Sequence, residues 1–367
     1  MEKRKVLYLM HVSWYWIKQR PHFIAEQLNG SFDLAAFFAQ SIKLNSQLIK
    51  GDYPSFARPL YLLPLQRFQG SKFFSILSDF VNWIQLKNQL VESRFIWVTS
   101  PILYSIVSRK VNCSQVVIYD CMDDFLEFPG IKNNPTVYEK VRLLEEDLIS
   151  RADLIFTSSE NLREIISKRY GNSREVMVIN NAISSAFLSK KRVNIPIDYN
   201  SDDSFVDIMY IGTISSWFDF DIICESLNRF SGIRYILIGP LEITPPHHER
   251  IIVLGPKSHE DLPGYMEKSD ALIMPFHVTD LIKSVNPVKL YEYVSSGKPV
   301  IACYYSEIRS FERFVYFYSN GEQFFHLVQK LIDQQLFVHC ESDRLSFLQQ
   351  STWEGRVHRI VSLLNEF

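Results

Sequence analysis

Short apolar runs alternate with stretches of helical periodicity along the whole chain, and this alternation constrains the fold more than any other feature. Leu34-Ala35-Ala36-Phe37-Phe38 and Val116-Val117-Ile118-Tyr119 carry no charged or amide side chain. Such runs suit strands covered on both faces. Strands are expected at 5–10, 33–38, 95–99, 115–120, 153–157 and 175–179, then at 206–211, 234–238, 251–254, 271–274, 298–303 and 314–318. Strands spaced by helices predict an α/β fold with parallel sheets. At 367 residues the chain is too long for one ordinary core. Residues 189–205, polar, aperiodic and containing Pro196, read as a linker between two similar halves.

The segment Asn286-Pro287-Val288-Lys289-Leu290-Tyr291-Glu292-Tyr293, followed by Gly297-Lys298-Pro299-Val300, predicts a helix opened by Asn286 as N-cap with Pro287 in the first turn. Gly297 stops it before a buried strand. A helix start offers open N–H groups and a positive dipole end, which suit a phosphate or diphosphate. On a helical wheel Leu290, Tyr291 and Val294 share the core side, and Lys289 and Glu292 share the other. Two readings stay open: a cation for phosphate beside a carboxylate for ribose, or an exposed ion pair worth about 0.2–0.5 kcal/mol.

The first turn after a strand lacks the G-x-G-x-x-G spacing, which argues against a nicotinamide or flavin enzyme. It carries Trp14, Trp16, Gln19, Arg20 and His22, a set suited to a flat, hydroxyl-rich ligand, or to covering the sheet edge. A net charge of −2 with no basic arm gives no case for nucleic acid. Five scattered cysteines without metal spacing read as reduced thiols, so a cytoplasmic protein is expected, with no signal peptide and no apolar run able to span a bilayer. Residues 43–94 hold seven Lys and Arg against three acidic residues, with Phe73, Ile76, Leu77, Phe80, Val81, Trp83 and Ile84 at helical spacing. This is a core-facing helix or, through residues 57–94, a peripheral membrane contact in which Arg58, Arg67, Lys72 and Lys87 meet anionic lipid.

Taken in order, these pieces resemble bacterial GT-B glycosyltransferases, specifically the nucleotide-sugar-dependent glycosyltransferase family four and its polysaccharide-assembly relatives. The likeness runs from Gln19-Arg20-Pro21-His22 through Ala152-Asp153-Leu154-Ile155-Phe156-Thr157-Ser158-Ser159 and Val178-Ile179-Asn180-Asn181-Ala182. It continues through Tyr210-Ile211-Gly212-Thr213 and the 286–300 segment to Ser351-Thr352-Trp353-Glu354 with Arg356. The resemblance implies two Rossmann-like domains facing a cleft: an acceptor domain at 1–188, a nucleotide-sugar domain at 206–345, and a helix at 346–367 crossing back to the first. It implies donor contacts from Gly212, Thr213, Gly255, Lys257, Leu262, Ser284, Val285, Asn286, Lys289 and Glu292. His277, at a strand end, is placed with them. Trp14, Gln19 and Arg20 are expected on the acceptor side. No cofactor and no metal are expected, since helix dipole and basic side chains replace the metal in such enzymes. Asp219-Phe220-Asp221 imitates a metal-binding triplet, but its position after Gly212 reads as a helix cap by Asp221. In the family two glutamates often stand with seven residues between them; Ser284 occupies the position of the first.

Transfer to a hydroxyl removes its proton, to a carboxylate or, in a retaining mechanism, with help from the departing phosphate. Residues 120–147 hold eight acidic against three basic side chains at the end of an expected strand, for that task or for turns and caps. Asp123 is the first candidate, Asp120 the second, with His22 able to touch donor phosphate or acceptor; Asp124 reads as a cap. His259 reads as a helix cap, and His247 and His248 as loop residues. The expected activity is transfer from a nucleotide sugar, UDP-linked by family frequency, to a lipid-linked or growing surface polysaccharide at the inner face of the cytoplasmic membrane. A non-hydrolysing nucleotide-sugar epimerase and a non-catalytic nucleotide-sugar-binding subunit are the alternatives.

Overall fold

A computed structural model describes residues 3–15, 17–41, 53–62, 72–171, 174–189 and 204–367, with the backbone alone at Ser41, residues 72–79 and Ala186. Trp16, Arg67 and nearly all of the expected linker lie outside the described residues, as do the side chains of Lys72, Phe73, Ile76 and Leu77. The chain divides into two units, Met1–Asn180 with Arg356–Phe367, and Asn181–Gly355.

The first unit holds seven strands: β1 (Lys5–Met10), β2 (Asp33–Ser41), β3 (Ala57–Leu62), β4 (Phe95–Val98), β5 (Val116–Cys121), β6 (Leu154–Thr157) and β7 (Val176–Val178). Their order is β3-β2-β1-β4-β5-β6-β7, every pairing parallel. The second holds β8 (Val206–Ile211), β9 (Ile233–Ile238), β10 (Ile251–Gly255), β11 (Ala271–Met274), β12 (Val300–Cys303) and β13 (Tyr316–Tyr318). These run β10-β9-β8-β11-β12-β13, again parallel. In both sheets the order turns back on itself, at β1/β4 and at β8/β11. Loops leaving such a switch point diverge to opposite faces, and the crevice at the carboxyl ends is where open sheets take ligands.

Strand β3 is an addition to the expected set. Arg58 and Pro59 hide it from a hydropathy reading, and it lies at the sheet edge, where a missing N–H is tolerated. The helix Lys72–Glu92 turns Leu86 and Leu90 into the first core, while Phe80 and Ile84 stay exposed on a flank. The last helix, Trp353–Leu364, buries Trp353, Val357, Ile360 and Leu364. Its end is tied into the first unit by the bond from Arg4 to Asn365 and by Arg94 donating to the Phe367 carbonyl. Among the described residues no helix is long and apolar enough to cross a membrane.

Candidate active site

In the second unit the helix Val288–Ser296 begins one residue later than expected. Pro287 is extended (φ −82°, ψ 117°) and serves as N-cap; Gly297 ends the helix in the left-handed region at φ +74°. Asn286 has another task. Its Oδ1 accepts from the Asn181 amide (3.1 Å) and the Tyr291 hydroxyl (3.3 Å), and its Nδ2 donates to Glu307 (3.2 Å). Buried and bonded on both ends, it fixes the loop that feeds the helix. Tyr293 pins the same helix to the end of β8: its hydroxyl accepts from the Ile211 amide (2.8 Å) and donates to the Ile211 carbonyl (3.2 Å). The Leu290 amide bonds back to the Pro287 carbonyl (3.2 Å), so it is the Val288 and Lys289 amides that begin the helix near the switch point.

Glu292 does not belong to an exposed ion pair, the second of the two readings; it is 1% exposed. A carboxylate can be buried there because each of its oxygens has a partner. Lys289 Nζ stands 2.8 Å from Oε2, and His259 Nε2 stands 2.7 Å from Oε1. Burial pushes the carboxyl up, but the Lys289 charge and then His259 more than offset it, bringing the group down to about 2. His259, expected as a helix cap, is thus the site residue that sequence reasoning missed.

The neighbouring expected donor residues divide into two sets. Gly212 and Thr213 form the turn after β8, where the Gly212 amide donates to Ile238 and the Thr213 carbonyl accepts from the Tyr210 hydroxyl (2.9 Å). Gly239, which sequence reasoning also missed, lies against this turn. At φ +146° a Cβ there would stand 1.9 Å from the Gly212 carbonyl oxygen, so only glycine lets the two loops meet. The Gly239 amide in turn donates to the carbonyl of Gly255, at the end of β10. Lys257 lies beyond, half-buried, its Nζ 5.7 Å from the Tyr265 ring centroid. His277 is exposed after β11, with Nδ1 3.5 Å from Asp219, and backbone bonds from His277 to Trp217 and from Asp219 to Pro275 stitch the β8 and β11 loops together. Asp219, rather than Asp221, caps the helix Phe220–Arg229 by accepting from Ile222.

Two residues are turned inward. Leu262 belongs to the second core, and Ser284 is buried with its hydroxyl donating to Leu281 (2.8 Å), which closes its own helical turn. Val285 is half-buried and packs against the same core.

The first unit changes the reading of the candidate base and of the acceptor residues. Arg20 and Asp120 form an ion pair with both side chains fully buried: Nη2 to Oδ1 is 2.7 Å, and Nε reaches both oxygens at 3.0 and 3.2 Å. Arg20 also donates to the Ile179 carbonyl, tying β1's loop to the residues after β7. Neither side chain reaches solvent, and each neutralises the other, so the pair supports the fold. His22 is likewise enclosed: Nδ1 accepts from the Gln19 amide (3.1 Å) and Nε2 lies 3.2 Å from the Ser13 carbonyl. Burial pushes it down to about 4, which keeps the ring neutral at physiological pH. It braces the loop, with Gln19 as N-cap of the helix Arg20–Ser31 and Trp14 edge-on to its ring at 4.9 Å. Asp124 caps Leu126 and forms a two-pronged pair with Arg169 (2.9 and 2.7 Å). Asp123 remains. It is half-buried, no cation or donor among the described residues bonds its carboxylate, and burial pushes it up to about 6.

No group of three or more His, Cys, Asp or Glu among the described residues is placed to hold a metal ion. No family model matches the sequence. The chain is 25% identical over 281 residues, 72% of its length and 70% of the relative's, to a Bacillus subtilis (strain 168) protein carrying the name teichuronic acid biosynthesis glycosyltransferase TuaH. Among solved structures it is similar to the sucrose-phosphate synthase of Thermosynechococcus elongatus, with a TM-score of 0.74 at 12% identity and 99% of each chain covered. It is also similar to Anabaena Alr3699/HepE, solved with UDP and glucose, with a TM-score of 0.66 at 13% identity over 99% of this chain and 100% of that one. The fold is that of the GT-B glycosyltransferases, and the sequence relative named as a glycosyltransferase supports the same enzyme class for this chain.

Proposed function

We propose that the protein transfers a sugar from a UDP-sugar to a hydroxyl of a lipid-linked or growing bacterial surface polysaccharide. The observation that carries this reading is the buried Glu292 beside Lys289 at the start of a helix pinned to the end of β8. The Lys289 ammonium and the first-turn amides meet the diphosphate. Glu292 accepts from the ribose hydroxyls, Gly255 and Lys257 flank the base, and Gly212, Thr213 and His277 border the phosphates and sugar. In the reaction the acceptor hydroxyl gives up its proton to a base, for which Asp123 is the candidate, as its oxygen bonds the anomeric carbon. The bond from that carbon to the phosphate oxygen breaks, and its electron pair leaves on UDP. Fixed positive charge at the diphosphate lowers the barrier most, because the charge grows there. In this reading Lys289 and the helix start supply that charge without a metal. Two structural neighbours, HepE in complex with UDP-glucose and a trehalose-6-phosphate protein of E. coli bound with UDP-2-fluoro glucose, support a UDP-sugar donor. The relative's name supports a polysaccharide acceptor. The exposed flank of Phe80 and Ile84, with Lys87 exposed on the same helix and Arg58 exposed on β3, suits contact with the inner face of the cytoplasmic membrane, where such acceptors are held.

The test is to incubate the protein with UDP-sugars and a bacterial lipid extract and to measure UDP release and lipid-borne sugar together. Acceptor-dependent release, lost in Lys289→Met, is expected. Epimerised donor without acceptor, or binding with no turnover for any donor, contradicts it.

A further inference from the structure

We propose that His259 is a positioning residue that sets nucleoside affinity by orienting the Glu292 carboxylate. The inference rests on the reading of Glu292 as the ribose acceptor. Lys289, one turn away on the same helix, engages only Oε2. The partner of Oε1 comes from 33 residues earlier in the chain, on the segment between β10 and the helix Leu262–Lys268. The ring is not loosely placed. Its centroid lies 5.0 Å from that of Phe187, itself 7% exposed, on a third element, the helix Ser185–Ser189. An imidazole steadied by Phe187 and bonded to Oε1 fixes the carboxylate's rotation about its last bond.

Orientation matters here because a carboxylate has about four lone-pair positions on two oxygens. Lys289 and His259 take one on each oxygen, and the rotation they impose decides where the remaining two point. A ribose diol needs both remaining positions on one side. His259 also follows Gly255 and Lys257 by a few residues, so the same bond ties the proposed base segment to the proposed ribose acceptor. Base and ribose contacts are therefore set together, whereas the diphosphate depends on Lys289 and the helix amides.

The prediction is a selective loss. In calorimetric titrations His259→Phe, which keeps the ring contact with Phe187 but not the donor, should bind UDP roughly tenfold more weakly, a change of about 1.4 kcal/mol. Inorganic pyrophosphate should bind as in the wild type, and KM for the UDP-sugar should rise with kcat held. His259→Gln, whose amide can still donate to Oε1, should recover most of the UDP affinity. Undiminished UDP binding in His259→Phe overturns the proposal. So does equal weakening of UDP and pyrophosphate, or a His259→Gln variant no better than His259→Phe, since either would make the residue merely structural. If the wild type binds pyrophosphate but not UDP, the donor-site reading itself fails, and that outcome is distinct from failure of the His259 role alone.

Discussion

Replacing Asp120 by asparagine separates a structural role from a chemical one. Its carboxylate and the Arg20 guanidinium are both fully buried, joined by contacts of 2.7, 3.0 and 3.2 Å. Asparagine keeps the shape and one acceptor but removes the charge, which strands a guanidinium that cannot lose its proton. Breaking a buried pair from one side costs about 3–5 kcal/mol, because the surviving charge has no water to return to. For a unit of this size each kcal/mol moves the midpoint by about 2–4 °C, so the first unit should melt roughly 6–20 °C lower. Near-ultraviolet circular dichroism follows this, since Trp97 is buried beside Tyr8 in that unit, at 5.3 Å between ring centroids. The two units need not melt together, so the transitions should be fitted separately. Replacing both partners, Arg20→Met with Asp120→Leu, should restore most of the loss, because apolar pairs of similar volume are often as stable as a buried ion pair. An Asp120→Asn protein with an unchanged midpoint but no transfer activity would refute this reasoning and return Asp120 to the chemistry.

In the proposed role as base, Asp123, held up to about 6 by burial, must be ionised to accept a proton, so kcat/KM should fall tenfold per pH unit below that value. Asp123→Asn should remove most activity, about 10²–10⁴-fold. Because the folded value lies above the unfolded one, the ionised group opposes folding above about pH 6, and the same variant should melt no lower than wild type at pH 8. Glu292 has the opposite sign: with a folded value of about 2, its contribution is whole above the unfolded value and is lost as pH falls toward 2. Acid unfolding of Glu292→Gln should therefore show a shallower pH dependence across that range. Gly239→Ala sets a Cβ 1.9 Å from the Gly212 carbonyl, backbone against backbone, and should destabilise the second unit by about 4 kcal/mol or more in chemical denaturation.

What was legible in the sequence follows from the range of the interactions involved. Strands such as Val206–Ile211 and Ala271–Met274 match their expected bounds, because continuous apolar runs report burial on both faces directly. The Gly297 stop is equally local. The edge strand Ala57–Leu62 escaped because its pairing to β2, not its composition, makes it a strand. At the candidate site the helix carrying Lys289 and Glu292 was legible, but not the burial of Glu292, which depends on His259 arriving from another element. Arg20 and Asp120 misled for the same reason. Each, read alone at a strand end, resembles a functional group, and only their pairing across 100 residues shows them neutralising one another. Asn286 matched a helix cap by type and spacing, yet its partners are Asn181, Tyr291 and Glu307. Local patterns carry elements; long-range pairing of charges carries the site.

The most direct measurement is a crystal structure of the protein with UDP bound. The ribose hydroxyls should lie within hydrogen-bonding distance of Glu292, with the diphosphate at Lys289 and the first amides of the Val288–Ser296 helix. UDP bound elsewhere, or bound with its ribose turned away from an intact Lys289–Glu292–His259 cluster, would contradict the account.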